Sequence, residues 1–188
     1  MEQWILKLDY QIFKLINQTW ASPWQDEFFP WITDLNKSRV FGWFLIPILL
    51  FFFYRKYKRV GVSLCLILIL SVAFNDFVGA RVKDHYMRLR PFQNLEIEAK
   101  QRSPADSKSF YSNHTSNMFT FATYTSAFFP AAQIPLFILA AVIGYSRIYN
   151  GVHYPTDVLM GALMGLIWGS TFASIGQRVL KRKKKDPT

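Results

Sequence analysis

The three histidines of this chain fall in three short segments: K-D-H-Y-M-R-L-R-P from Lys83 to Pro91, S-N-H from Ser112 to His114, and S-R-I-Y-N-G-V-H-Y-P-T-D from Ser146 to Asp157. Lys83, Arg90 and Arg147 supply cations able to surround a phosphoryl group, arginine through a planar fork of donors and lysine as a point charge. In the third segment Pro155 suits the first turn of a helix, where its missing N–H has no partner to lose, so a helix is expected to start near Tyr154. His153 then stands just ahead of a helix N-terminus, whose N–H groups and partial positive charge favour an anion. Asp157, in the first turn, can reach back to one ring nitrogen, fixing the tautomer and leaving the other nitrogen free as a nucleophile. By itself His-x3-Asp reads as a helix cap. Arg147 and the other two segments tip the reading toward chemistry.

In the second segment Ser112 and Asn113 are good N-cap residues, and an apolar run starts directly after His114, which places that imidazole at the end of a helix. Of the remaining polar groups, Arg81, Arg88 and His85 are expected to meet lipid headgroups or loop carbonyls. Asp76, near the end of an apolar run, is a candidate partner for one of the cations or a plain interfacial residue. Carboxylates and histidines do not cluster as a two-metal phosphatase would need, so neither a metal nor another cofactor is expected.

Positioning these groups requires helices, and the sequence supplies apolar ones. Phe accounts for 18 of 188 residues, and apolar runs fall at Val40 to Tyr54, Val60 to Ala80, Thr115 to Phe129, Ile134 to Tyr145 and Val158 to Ile175. A chain this small has too little interior to hide five such helices in a soluble bundle. The expected fold is therefore all-α: a polytopic membrane helical bundle of five transmembrane spans forming a single domain over residues 1–188, with an N-terminal interfacial helix. In residues 1–20 the apolar stripe is Ile5, Leu8, Ile12, Leu15 and Ile16, with Lys7, Gln11, Lys14 and Gln18 opposite, and Trp4, Trp20, Trp24 and Trp31 suit an aromatic belt. The segment lacks the basic start and long apolar core of a signal peptide. Cys65 is the sole cysteine and reads as a small apolar filler. Gly161, Gly165, Gly169 and Ala173 form a small-residue stripe that lets another helix approach closely.

Charge gives the orientation, because Lys and Arg near span ends are retained in the cytoplasm. Arg55, Lys56, Lys58 and Arg59, with Arg178, Lys181, Arg182, Lys183, Lys184 and Lys185, face only Asp186, a balance of +9 out of the formal +10. Both clusters share a side if there are five spans, and the loops carrying the three histidine segments share the other. A bacterial inner membrane is the expected location, with the C-terminus cytoplasmic and the site on the periplasmic or extracytoplasmic face. The basic balance is thus explained by topology and anionic lipid, and no nucleic-acid partner is expected.

Taken together, Lys-x6-Arg-Pro, Ser112-Asn113-His114 and Ser-Arg-x5-His-x3-Asp resemble the signature of the type 2 phosphatidic acid phosphatase family, membrane lipid phosphatases related to vanadium haloperoxidases. The resemblance runs from Lys83 to Gly165. The family's usual second motif is Pro-Ser-Gly-His, against Tyr111-Ser112-Asn113-His114 here, a departure that spares the hydroxyl and the imidazole. Members usually have six helices, so residues 1–20 could supply a tilted sixth. The resemblance implies attack by His153 on phosphorus, with Asp157 stabilising the imidazolium and His114 protonating the leaving oxygen. Water activated by His114 then hydrolyses the phosphohistidine. Lys83, Arg90, Arg147, Ser112 and backbone N–H groups, those at Asn113 included, hold the equatorial oxygens. The substrate is expected to be an amphiphilic phosphate: phosphatidylglycerophosphate, phosphatidate, undecaprenyl diphosphate or lipid A phosphate. Two alternatives are a lipid phosphotransferase using the same phosphoenzyme and a non-catalytic lipid-phosphate binding or transport protein. Residues 92–110 are expected to form a lid facing the substrate.

Overall fold

The computed structural model describes residues 3–34 and 39–185. Among the described residues seven α-helices follow one another: α1 (Gln3–Lys14), α2 (Pro23–Asp34), α3 (Arg39–Tyr57), α4 (Arg59–Tyr86), α5 (Asn113–Phe128), α6 (Gln133–Tyr149) and α7 (Pro155–Lys185). Among the described residues there is no strand. The helices α3 to α7 fall on the five apolar runs. Among the described residues three segments, Arg59–Gln93, Pro130–Tyr149 and Pro155–Lys183, are long and apolar enough to cross a membrane.

Several helices outrun their apolar runs, α4 and α7 by the most. The helix α4 continues past Ala80 to Tyr86 and so carries Lys83 in its last turn. At the other extreme α7 continues through the basic tail to Lys185, since Lys and Arg are good helix formers and favour a helix C-terminus. The helix α2 was not expected from the sequence, although Pro23 at its first position and Asp26 in its first turn are ordinary start signals.

The glycine stripe of α7 lies against α5. A methyl group added at Gly161 would come within 2.6 Å of the Ser112 carbonyl oxygen, one at Gly165 would collide with the Ser116 carbonyl, and one at Gly169 would lie 2.6 Å from Thr123 Cβ. Small residues therefore let the backbones of α5 and α7 touch, which is how helices gain dispersion contacts where no hydrophobic effect separates them from lipid. Toward the far end, Phe53, Leu64, Cys65, Leu68, Tyr124, Phe128 and Ala173 close a core between α3, α4, α5 and α7.

The helix α1 runs on into a π-helical turn, Leu15–Thr19. Of the expected apolar stripe Leu8 and Leu15 are exposed, as are Trp4, Lys7 and Lys14, whereas Ile5 and Ile12 are half-buried and Ile16 turns inward. The inward face holds Phe13 and Ile16 with two polar residues, Asp9 and Asn17, that are essentially fully buried.

Candidate active site

One end of the bundle gathers the C-terminal ends of α4 and α6 and the N-terminal ends of α5 and α7. After α4 the backbone turns at Met87 (φ 51°), whose N–H bonds the Lys83 carbonyl at 3.1 Å. That turn brings Arg88 and Arg90 back against the bundle. At the start of α5 the Ser112 hydroxyl accepts from Thr115 N–H at 3.5 Å and from Thr115 Oγ1 at 3.0 Å, and the Ser112 N–H donates to the Asp157 carbonyl at 3.1 Å, tying the two helix starts together. The helix α7 begins at Pro155, beside the expected Tyr154.

A cavity of about 660 Å³ opens among these ends. Its charged wall is Lys83, Arg90 and Arg147, and His114 and His153 also line it. Asn113, Asn117 and Asp76 form the α4–α5 side, and Pro104 to Ser107 the loop side. Each cation is held from behind. Lys83 Nζ donates to the carbonyls of Tyr111 (2.6 Å) and Lys108 (3.2 Å). Arg90, 4% exposed, donates through Nε to the Ser107 carbonyl (2.5 Å), through Nη1 to the Val152 carbonyl (2.7 Å) and through Nη2 to Ser107 Oγ (3.1 Å). Arg147 Nη1 donates to Thr33 Oγ1 of α2 at 2.8 Å. Fixed guanidinium groups lose little entropy on taking an anion.

His153 is 2% exposed, with Nε2 3.2 Å from Arg90 Nη1 and Nδ1 3.6 Å from Asp157 Oδ2. A guanidinium only donates, so the nitrogen facing it is the acceptor and Nδ1 carries the hydrogen toward the carboxylate. Burial, followed by the charges of Arg90, Lys83 and Arg147, pushes the imidazole pKa well below its usual range. The ring is therefore neutral at neutral pH, with its Nε2 lone pair turned to Arg90 Nη1.

Asp157 is fully buried beneath His153 and does not reach the cavity wall. Its Oδ2 accepts from the Tyr154 N–H (2.9 Å) and from Ser109 Oγ (2.5 Å), so the aspartate is also the cap of α7. Its Oδ1 accepts from Arg88 Nη1 at 2.6 Å. Arg88 thus corrects the expectation that placed it among lipid headgroups. Its guanidinium bridges Asp157 and Asp9 (2.5 Å from Nη2) and stacks over Tyr154, 4.0 Å from the ring centroid. The sequence carried a signal for this, an acid at position 9 inside the apolar stripe of α1.

Of the other expected residues, Ser112 has its hydroxyl in the α5 cap and lies outside the cavity wall. Asn113 lines the cavity and donates to Asp76 Oδ1 at 3.1 Å, where Asn117 also donates at 2.9 Å. His85 is exposed beside Tyr86, away from the cavity. The expected lid is strapped down over much of its length. Lys100 N–H bonds Asn17 Oδ1 at 2.9 Å, Arg102 pairs with Asp26 at 2.6 Å, and Asn150 Nδ2 donates to Ser103 Oγ at 3.0 Å. Only a short piece around Asp106 faces the cavity without such a strap.

The PAP2 superfamily model matches residues 60–181, which include every cavity-lining residue named above. The chain is 28% identical to the lipid A 4'-phosphatase of Porphyromonas gingivalis, covering 89% of this chain and 72% of that one. It is 31% identical to a putative undecaprenyl-diphosphatase of Escherichia coli, over 85% and 78% of the two chains. Among solved structures, Aquifex aeolicus LpxE superposes with a TM-score of 0.71 at 31% identity, covering 89% of this chain and 95% of that one. The PAP2-type phosphatidylglycerolphosphate phosphatase of Bacillus subtilis gives 0.75 at 26% identity, covering 94% and 88%. A family model spanning most of the chain and two near-complete structural matches agree with the histidine segments met at the outset: the chain belongs to the PAP2 superfamily, as one of its membrane lipid phosphatases.

Proposed function

We propose that the protein hydrolyses the phosphate of a membrane lipid through a phosphohistidine on His153, without a metal, at the non-cytoplasmic face of a bacterial inner membrane. The observation that carries this is the pose of His153. His153 lines a cavity walled by three anchored cations, its acceptor nitrogen 3.2 Å from Arg90 Nη1, one of them, and its other nitrogen 3.6 Å from Asp157 Oδ2.

The phosphoryl group enters between Lys83, Arg90 and Arg147, which balance the charge spreading over its equatorial oxygens. Nε2 of His153 attacks in line, and the alkoxide leaves on the side of His114, which donates its proton. Asp157 opposes the positive charge that develops on the ring. Water deprotonated by His114 then releases phosphate and restores the neutral histidine. Asn113 orients the mouth of the cavity through Asp76, while Ser112 acts through the start of α5 that carries His114. A lipid phosphate suits a site at helix ends, where the acyl chains stay among the helices and the headgroup meets the cavity. Phosphatidylglycerophosphate, phosphatidate, undecaprenyl diphosphate and lipid A phosphate all present such a group.

The test is trapping of the phosphoenzyme. Quenching a turnover of radiolabelled lipid phosphate in the presence of excess chelator should leave an acid-labile, base-stable label on wild type and none on His153→Ala, while His114→Ala should be labelled from a radiolabelled aryl phosphate, whose leaving group needs no proton. Label on the folded His153→Ala protein, or label that requires a divalent ion, overturns the proposal.

A further inference from the structure

The mechanism uses Asp157 and leaves unexplained why its carboxylate is shared with Arg88, and why Arg88 is in turn gripped from the N-terminal helix. Asp9 is 1% exposed, and a lone buried carboxylate is strongly disfavoured, so its partners define its role. Oδ2 of Asp9 receives Arg88 Nη2 at 2.5 Å and Thr156 Oγ1 at 2.7 Å, and Oδ1 receives the Thr156 N–H at 2.9 Å. Arg88 Nη1 also donates to Thr156 Oγ1, at 2.8 Å. The four side chains form one closed figure beneath His153, built from α1, the α4–α5 connection and the first turn of α7.

We propose that Asp9 is a positioning residue for catalysis, fixing Arg88 and the first turn of α7 so that Asp157 is held against His153. Arg88 donates to Asp157 and so competes with the ring for the same negative charge; Asp9 on the opposite side of the guanidinium offsets that competition. Neutralising Asp9 leaves Arg88 to draw on Asp157 alone, weakening the carboxylate's hold on a developing imidazolium. The effect falls on the chemical step and spares substrate affinity, because neither Asp9 nor Arg88 lines the cavity. The proposal rests on the reading of His153 as nucleophile.

The experiment measures steady-state kinetics of full-length protein in detergent on a soluble aryl phosphate and on a lipid phosphate. Asp9→Asn should lower kcat at least about tenfold with KM within about threefold on both substrates. Arg88→Met should also lower kcat, because the loss of the donor that fixes Asp157 Oδ1 in place outweighs the relief of its competition with the ring. The double variant should be no worse than the poorer single one, since residues acting as a unit do not add. Thr156→Val, which keeps volume and loses the hydroxyl bridge, should give a smaller loss of the same kcat-only form, and it serves where Asp9→Asn fails to fold. Wild-type kcat in folded Asp9→Asn, multiplicative loss in the double variant, or wild-type kcat in Thr156→Val with Asp9→Asn unfolded would each overturn the proposal. An absence of phosphoenzyme in wild type would instead refute the proposed function, since the Asp9 coupling is read in kcat alone.

Discussion

Arg90 is the residue whose loss should be felt twice, once in catalysis and once in stability. Its guanidinium holds the Ser107 and Val152 carbonyls at 2.5 and 2.7 Å and lies 3.2 Å from His153 Nε2. Truncation to alanine removes a fixed donor from the place where phosphoryl charge develops, which lowers kcat by about 10²–10³ in comparable sites. It also leaves the buried Val152 carbonyl without its donor, at about 1–3 kcal/mol, while the carbonyl of the exposed Ser107 can turn to water. A stability loss of about 2 kcal/mol is the expected result. Arg90→Lys keeps the charge but not the fork, and cannot reach Ser107, Val152 and phosphate together. It should therefore retain much of the stability while losing at least about tenfold in kcat/KM. Paired measurements of kcat/KM and of thermal unfolding in detergent decide the matter. A lysine variant within threefold of wild type, or an alanine variant with an unchanged unfolding midpoint, would refute the assignment of Arg90 as both phosphate clamp and loop anchor.

Further outcomes follow from the same geometry. His114→Ala should lose far more activity on lipid phosphates than on aryl phosphates, whose leaving groups need no proton, and equal losses would remove His114 from the acid role. Gly165→Val should destabilise by about 1–3 kcal/mol or more, because the added carbons meet the Ser116 carbonyl and Phe119 Cβ of α5; an unchanged unfolding midpoint would contradict the packing. The lowered pKa of His153 means that below about pH 6.5 the unfolded chain binds a proton the folded chain refuses. Stability should therefore fall as pH drops below that value, and His153→Gln should flatten the decline by up to about 1.4 kcal/mol per pH unit. For topology, in a Cys65→Ala background an impermeant thiol reagent on intact cells should modify Cys placed at the exposed Gln101 and spare Cys at the exposed Lys183; labelling at Lys183 would reverse the orientation.

The sequence made the helices readable where a single physical factor governed them. Apolar runs marked the bodies of α3 to α7, Pro155 marked the start of α7, and Ser112 marked the cap of α5, each through a local rule of backbone hydrogen bonding. Boundaries failed where polar residues stayed helical, as at Lys83 and in the basic tail, because hydropathy reports the surroundings of a helix and not where its hydrogen bonds end. The three cations and two histidines singled out in the sequence line one cavity, and they could be singled out because a phosphate site calls for those residue types. Asp9 and Arg88 were not read together: they lie far apart in sequence, and a buried ion pair has no periodicity. The strapping of the loop escaped for the same reason: Asn17, just after α1, takes the Lys100 N–H and Asp26 of α2 takes the Arg102 guanidinium, across gaps in sequence that no pattern marks.

The glycine stripe of α7 repeats every four residues, and a repeating track has a consequence for register. If α7 slid one turn along α5, Gly165 would replace Gly161 and Gly169 would replace Gly165, so the middle of the interface would scarcely notice. The tie is broken only at the ends. Ala173 sits at one end among the aromatic rings of α3 and α5. At the other end the next position on the track is Asp157 itself, whose carbonyl is bonded by the Ser112 N–H. The same residue therefore serves as the index mark that aligns the two helices and as the carboxylate behind His153. A bundle assembled one notch out of step would lack its site by construction, so every copy that carries the constellation is also one whose helices have locked in the right alignment.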